Sequence, residues 1–204
     1  MFFEGNYTKV YIYTNIDPWI KRNAASIAQI IEDYVKKTTN ILNINLRCKV
    51  NVTIVPLLTI GKKLGMGKGW GMARQPFLIT DTGVIVGYAP YNIRSKPYFI
   101  RDKNVINMSY LMLIIADSVN IYLIWNYISY PYSYSSFGFF EALNLYMYLH
   151  GIPAQYRVET TLIKWPHGFT ASMINIGYYK PLKFVIENFR YGRPYGWEIF
   201  SFGN

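Results

Sequence analysis

The chain has 204 residues and a formal net charge of +10, from 21 Lys and Arg against 11 Asp and Glu. Hydrophobic residues make up 51% of it and aromatic residues 18%, which is too apolar for a disordered polycation. These values predict a folded chain with a basic surface, which favours an anionic partner, either nucleic acid or an acidic membrane face. The single cysteine, Cys48, excludes an internal disulfide and a zinc site built from several cysteines.

The first half of the chain alternates between predicted strands and a helix. Residues 9–13 (KVYIY) predict a short strand, and the apolar spacing of residues 22–39 predicts an amphipathic helix. Residues 50–56 alternate apolar and polar and stop at a proline, as in a half-buried strand. After a glycine-rich basic loop at 57–76, the segments FLIT and GVIVGYA predict two strands joined by a tight turn.

The second half of the chain differs in composition. We interpret residues 91–136 as an insertion, in which residues 105–128 form a long apolar stretch. A membrane span is one interpretation of this stretch, but the polar residues around Asp117 favour a buried helix. Residues 139–151 predict a further helix that ends at a glycine, and residues 157–165 predict another strand.

The positive charge is concentrated in one block of the sequence. The 47 residues from Tyr34 to Thr80 contain eight basic residues and no acidic residue. Glycines let the loop backbone approach phosphates closely, while a tryptophan and a methionine add stackable surface. Cations, exposed backbone and a stacking ring together favour structured RNA as the partner. The candidate RNA-binding residues are Lys36, Lys37, Arg47, Lys49, Lys62, Lys63, Gly65, Met66, Gly67, Lys68, Gly69, Trp70 and Arg74.

The glycine-rich loop has two other interpretations. A mobile loop kept soluble by its lysines remains open. A nucleotide-binding loop fails on spacing, because the P-loop pattern requires glycine where Lys62 stands and Ser or Thr where Gly69 stands. The dinucleotide-binding pattern requires a glycine at the positions of Trp70 or Met72.

No set of residues predicts catalysis or a metal site. His150 and His167 have no carboxylate or thiol at a suitable spacing, and Cys48 has no histidine close to it in the sequence. No pair of carboxylates suggests acid/base chemistry. We therefore predict a non-enzymatic protein with no cofactor and no metal.

The loop and its flanking elements resemble the uL16 family of universal ribosomal large-subunit proteins. Residues 65–71 (GMGKGWG) match five of the seven positions of the family's R-M-G-K-G-K-G loop, which follows a strand ending in proline. Residues 20–37 are similar to the family's helix with a basic end, and residues 141–163 to its closing helix and strand. Gly65 and Trp70 replace two cations of the family motif, so the contacts of those cations are lost or replaced by stacking.

The resemblance implies a fold and a domain organisation. The expected fold is an α/β sandwich with a mostly antiparallel sheet and two helices packed on one face, plus a helical insertion and a C-terminal extension. Residues 1–90 and 137–164 would form the rRNA-binding domain, with the insertion at 91–136 and the extension at 165–204.

The resemblance also implies a function. The chain would be a structural constituent of the large ribosomal subunit, bound to large-subunit rRNA near the tRNA A site and supporting translation, with A-site tRNA as a further partner. Residues 91–136 and 165–204 would contact neighbouring large-subunit proteins, and no membrane partner is expected.

The cellular location of this function is predicted from composition and from the first residues of the chain. Abundant Ile, Asn, Tyr, Phe and Lys are typical of an AT-rich genome, and the first residues lack the features of a targeting peptide. Both observations favour an organelle-encoded protein of the mitochondrial matrix ribosome. The alternative is a DNA-coating or virion structural protein of an AT-rich genome.

Overall fold

The structure, a computed structural model, describes residues 1–13, 15, 17–57, 59, 77–88, 103–127, 147 and 150–156. These residues form five strands and two long helices. In chain order they are β1 (Phe2–Glu4), β2 (Thr8–Ile12), α1 (Pro18–Leu42), β3 (Val50–Pro56), β4 (Phe77–Thr80), β5 (Gly83–Tyr88) and α2 (Lys103–Tyr127), with a 3-10 turn at Ala154–Tyr156. The helix predicted at residues 22–39 and the strands predicted in the first half are confirmed.

Capping residues define both ends of helix α1. The Asp17 carboxylate accepts a hydrogen bond from the Trp19 backbone N–H at 2.6 Å, and Pro18 occupies the first turn, where its missing N–H costs nothing. Asn43 ends the helix in the left-handed conformation, at φ 53° and ψ 44°. The apolar residues between the caps recur at helical spacing and are buried: Ile20, Ala24, Ile27, Ile31, Tyr34 and Val35.

The five strands form one mixed sheet in the order β1-β2-β3-β5-β4. The outer pairs, β1 with β2 and β4 with β5, are antiparallel, whereas the inner pairs, β2 with β3 and β3 with β5, are parallel. Strands β2 and β3 are parallel because α1 carries the chain back along the sheet between them. The α/β class is confirmed, and the expectation of a mostly antiparallel sheet holds for two of the four strand pairs.

The parallel strands give the sheet two distinct edges. Strands β2, β3 and β5 all begin at one edge, which we call the amino edge, and end at the opposite one, the carboxyl edge. Helix α1 therefore begins near the carboxyl edge, where β2 ends, and ends near the amino edge, where β3 begins. The seven residues of β3 separate the two edges by about 20 Å.

Both helices cover the same face of the sheet. Val10, Val52 and Val84 are paired across β2, β3 and β5, and all three are buried in the core that α1 and α2 share. The hydroxyl of Tyr34 on α1 donates a 2.8 Å hydrogen bond to Asn120 Oδ1 on α2. Helix α2 is therefore part of the central core, although it lies within the segment that we interpreted as an insertion.

The helix predicted at residues 139–151 falls mostly outside the described residues. Met147 and Ile152, which are described, are buried in the same core as the sheet and the two helices. The strand predicted at 157–165 and the extension at 165–204 lie outside the described residues. The second long helix that the structure shows on the sheet is thus α2.

Helix α2 is long and apolar enough to cross a membrane, and no other helix in the described part of the chain is. The candidate window, Asn107–Tyr127, has a mean hydropathy of 1.5, but 83% of it is buried inside the protein. Asp117 and Asn120 lie within this window and are buried. Helix α2 packs against α1 on one side and against the sheet on another, so apolar groups surround most of it. Its sequence is therefore as apolar as that of a helix surrounded by lipid.

Candidate nucleic-acid interface

The amino edge brings together four of the predicted RNA-binding residues. Lys36 and Lys37 lie near the end of α1, and Arg47 and Lys49 lie in the segment that leads into β3. The chain reverses after the left-handed Asn43, so the end of the helix and the start of the strand share one edge. These four cations therefore lie towards the same edge of the sheet.

Lys36 and Lys37 are exposed on the outer face of α1. Among the described residues, neither lysine makes a salt bridge. Lys36 is one helical turn before Asn40, so the two side chains lie on the same face of the helix. These lysines can therefore bind an anion without first breaking an ion pair.

Arg47 is exposed and tied to the end of α2. Its Nη2 donates a 2.7 Å hydrogen bond to the backbone carbonyl of Asn126. Its guanidinium carbon also lies 5.1 Å from the centre of the Tyr127 ring, which is a cation–π distance. A guanidinium has five N–H donors, so one bond to a carbonyl leaves donors for a phosphate.

Lys49 differs from the other three cations because its charge is compensated. Its Nζ lies 2.7 Å from Glu4 Oε1, in a salt bridge between β1 and the segment before β3. The hydrogen bond and positive charge of Lys49 lower the pKa of the Glu4 carboxyl, with a smaller contribution from the charge of Lys9. Lys49 must therefore share or give up this partner before it can bind a phosphate.

Glu32 on α1 holds the turn between β1 and β2 at this edge. Its carboxylate accepts hydrogen bonds from the backbone N–H of Asn6 at 2.7 Å, from that of Tyr7 at 3.0 Å, and from the Thr8 hydroxyl at 2.6 Å. A Cβ atom at Gly5 would collide with this carboxylate, so a larger residue there would displace the Glu32 side chain from its hydrogen bonds. The turn that follows Glu4 is thus held by a carboxylate 28 residues further along the chain than Glu4.

A polar cleft of about 400 Å³ opens at the amino edge, between the end of α1, the β1–β2 turn and the segment before β3. Side-chain amides and one lysine supply most of its polar groups, and amides can both donate to and accept from the edge of a base. The cleft is lined by Asn6, Tyr7, Thr39, Asn40, Ile44, Asn45, Leu46, Cys48 and Lys49.

Metal ligands do not cluster in the described part of the chain. No group of three or more His, Cys, Asp or Glu side chains is placed there to hold a metal ion. Cys48 is exposed at the rim of the cleft as a free thiol. The polar groups that the structure describes at this edge include side-chain cations, amides and this thiol.

The glycine-rich loop is attached at the opposite edge of the sheet. Nine of the thirteen predicted site residues, from Lys62 to Arg74, lie outside the described residues. The chain enters the loop after Pro56, which pairs with Tyr88, and leaves it at Phe77, which pairs with Val86. Both attachment points lie at the carboxyl edge, so the loop leaves and rejoins the sheet at the edge opposite the other four predicted cations.

Sequence reasoning overlooked three cations that the structure exposes or half-exposes. Lys21 and Arg22 are exposed in the first turns of α1, near the carboxyl edge, and Lys9 is half-buried on β2. They lie outside the acid-free block that drew attention to the other cations. Lys21 and Arg22 fall between the buried Ile20 and Ala24, so a helical pattern extended back to Ile20 would have marked them as surface positions.

The described residues define the chain as a mixed α/β protein with a polar, cationic edge. Comparisons with models of protein families, with curated proteins and with solved structures found no match to this chain. The fold class thus rests on the structure, and the ribosomal assignment is a proposal.

Proposed function

We propose that this chain is a non-enzymatic RNA-binding protein of the large ribosomal subunit, with the uL16-like sandwich as its fold. In this role it binds large-subunit rRNA near the tRNA A site, on a mitochondrial ribosome. The observation that carries the proposal is the amino edge, where Lys36, Lys37 and Arg47 are exposed beside a cleft lined by amides. The resemblance of residues 65–71 to the family's loop supports the ribosomal part of the proposal.

The amino edge binds the RNA backbone chiefly through three cations. Lys36 and Lys37 neutralise phosphates as point charges, and Arg47 donates hydrogen bonds to one phosphate from a guanidinium that Tyr127 and Asn126 hold in place. The amides of the cleft are placed to hydrogen-bond a base or ribose that follows the bound phosphates. Lys49 contributes less, because Glu4 compensates its charge.

The loop at the carboxyl edge has a separate role in this proposal. Lys62, Lys63, Lys68 and Arg74 bind rRNA phosphates and Trp70 stacks on a base or sugar, while the loop extends towards the aminoacyl-tRNA. Its attachment points lie about 20 Å from the amino edge, and in this proposal the loop and the amino edge bind different segments of RNA. The insertion at 91–136, apart from helix α2 in the core, and the extension at 165–204 contact neighbouring proteins in this proposal.

Salt dependence of RNA binding tests the amino edge. Replacing both Lys36 and Lys37 by glutamine should lower the slope of log Kd against log salt by about 1.8, since each duplex phosphate contact contributes about 0.9. Fluorescence anisotropy with a labelled large-subunit rRNA fragment measures this slope. Lys49→Gln, which also removes one lysine from the same edge, should lower the slope by clearly less than 0.9, because Glu4 already pairs with Lys49.

Sedimentation tests the ribosomal assignment. A tagged copy should sediment with the large subunit under conditions that dissociate the subunits, and the peak should be lost after ribonuclease treatment. A copy found away from that peak would contradict the ribosomal proposal. A particle that is sensitive to deoxyribonuclease instead would support the DNA-coating alternative.

A further inference from the structure

The sheet has a second face, on the side opposite the two helices, and part of it is exposed. Phe2 on β1 and Tyr11 on β2 are paired across the strands and point to this face, with 51% and 39% of their surfaces exposed. Tyr13 follows on the same side, at 54% exposure. The exposed area lies over β1 and β2, since Val55 on β3 is 5% exposed.

The aromatic rings on this face are arranged as a platform. The Phe2 and Tyr11 ring centres are 4.8 Å apart with 31° between their planes, so the two rings support each other. Tyr13 is two residues further along the chain, which places its side chain about 7 Å from that of Tyr11. The backbone N–H of Tyr13 donates to the Ile54 carbonyl at 3.0 Å, which fixes this residue to β3.

Cations lie at one end of the platform. Lys9 is two residues before Tyr11 on the same side of β2 and pairs across the sheet with Glu4 and Asn51. Lys49 is adjacent and is bound to Glu4. Along β2 the open face therefore runs from a cation to two successive aromatic rings, at spacings of about 7 Å.

We propose that this face, comprising Phe2, Lys9, Tyr11 and Tyr13, is a docking platform for single-stranded RNA. Unpaired bases stack on Phe2, Tyr11 and Tyr13, while Lys9 binds a phosphate of the same strand. A duplex cannot use the rings, because its bases are already stacked and paired. The platform lies on the face opposite the helices and adjoins the amino-edge cleft at Lys49, and it shares with the proposed function only RNA as the ligand.

Charge and ring geometry favour RNA over a protein partner for this face. Its described charged groups are Lys9 and Lys49 against the carboxylate of Glu4, on a chain of net charge +10. A protein interface of stable size is centred on apolar groups with few charges, whereas here the lysines adjoin the rings directly. A cation followed by two aromatic rings on one strand instead combines phosphate binding with base stacking, as in single-strand binding.

Variants of Tyr11 in the full chain test the platform. Tyr11→Leu keeps an apolar side chain but removes the ring, and Tyr11→Phe keeps the ring. Fluorescence anisotropy measures the affinity for a labelled oligouridine and, separately, for a labelled, perfectly paired RNA hairpin. We expect Tyr11→Leu to weaken oligouridine binding about tenfold, with hairpin binding changed less than twofold, since one stacked base contributes roughly 1–3 kcal/mol. Tyr11→Phe should leave both affinities within twofold.

Lys9→Gln gives an independent readout on the same face. For oligouridine, Lys9→Gln should lower the slope of log Kd against log salt by about 0.7, whereas Tyr11→Leu should leave that slope unchanged. The platform would be overturned if Tyr11→Leu weakened the binding of both RNAs equally, or if it did not weaken oligouridine binding. Circular dichroism melts of each variant verify that the fold is intact.

The platform and the ribosomal proposal can fail separately. Loss of the large-subunit peak with a selective Tyr11→Leu effect on oligouridine would contradict the ribosomal proposal and support the platform. A tagged protein that sediments in the large-subunit peak, but whose oligouridine affinity is unchanged by Tyr11→Leu, would support the ribosomal proposal and contradict the platform.

Discussion

Glu32 is the residue on which the geometry of the amino edge depends most. Its carboxylate accepts three hydrogen bonds from the β1–β2 turn, two of them from backbone N–H groups. Without it, the turn between β1 and β2 loses its attachment to α1. A charge on one helix thus fixes the turn between two strands.

Glu32→Ala should lower the free energy of unfolding by about 2–4 kcal/mol, because it removes three hydrogen bonds to a charged group that is half-buried. Urea denaturation measures this change. Asp33→Ala is the matched control, since Asp33 is the next carboxylate on the helix, is exposed and accepts one 3.2 Å bond from Gln29. The control should change the free energy of unfolding by less than about 0.5 kcal/mol, and equal effects would contradict the role of Glu32.

The Glu4 carboxyl should titrate below its ordinary pKa of 4.5, because Lys49 donates a hydrogen bond to its charged form. A pKa lowered on folding means that the ion pair stabilises the protein above about pH 4.5 and that this stabilisation is lost as the pH falls through the lowered pKa. An NMR titration of the carboxyl carbon measures it. Lys49→Gln should raise the pKa of Glu4 towards 4.5, whereas Lys21→Gln should leave it unchanged.

For single residues, the sequence could predict which cations are candidates for binding RNA, but not which carboxylates pair with them. Lys49 belongs to a block without acidic residues, yet Glu4, 45 positions earlier, pairs with it. Only the β1–β2 pairing and the parallel register of β2 and β3 bring the two together. A local pattern holds no information about such a contact.

Among the secondary-structure elements, the junction between β3 and β5 leaves the least room for change. Asn51 pairs with Gly83 in the register, and its backbone N–H donates to the Thr82 carbonyl at 3.0 Å. A Cβ atom at Gly83 would collide with the backbone carbonyl of Asn51. The central parallel pair therefore requires glycine at this position.

Gly83→Ala should lower the free energy of unfolding by about 1–3 kcal/mol, because the added methyl group meets backbone that cannot move without breaking the β3–β5 ladder. Urea denaturation measures the loss. Asp81→Ala in the same exposed turn is the control and should change the free energy of unfolding by less than about 0.5 kcal/mol. Indistinguishable values for the two variants would show that the junction can relax.

The elements differed in how far the sequence could predict them. Helix α1 was predictable because its apolar residues keep one spacing between Asp17 and Asn43. Strand β1 was not, because its three residues are too few to show alternation. The sequence also favoured a buried helix where α2 lies, but a helix apolar on all sides does not indicate what it packs against.

At the scale of the whole molecule, α2 decides whether the chain needs a membrane. Its apolar window is 83% buried by the rest of the protein, and its buried Asn120 is hydrogen-bonded to Tyr34 of α1. The apolar surface of α2 is thus already used within the fold. This arrangement favours a protein that folds without lipid.

The full chain should accordingly be released by alkaline carbonate from a membrane preparation and should unfold cooperatively in urea without detergent. Leu123→Ala should lower the free energy of unfolding by about 2–5 kcal/mol, because Leu123 is fully buried in the shared core. Trp125→Ala, at an exposed position of the same helix, is the comparison and should cost less. A chain that stays in the carbonate pellet would contradict this view of α2.

The position of α2 in the chain also has a consequence for synthesis. Strand β5 ends at Tyr88 and α2 ends at Tyr127, so about 40 residues separate the completed sheet from its second covering helix. At roughly 5–20 residues per second, translation takes about 2–8 s to make them. During that interval the growing polypeptide holds α1 and the strands with an uncovered apolar surface, which is where a chaperone would bind and where aggregation would begin.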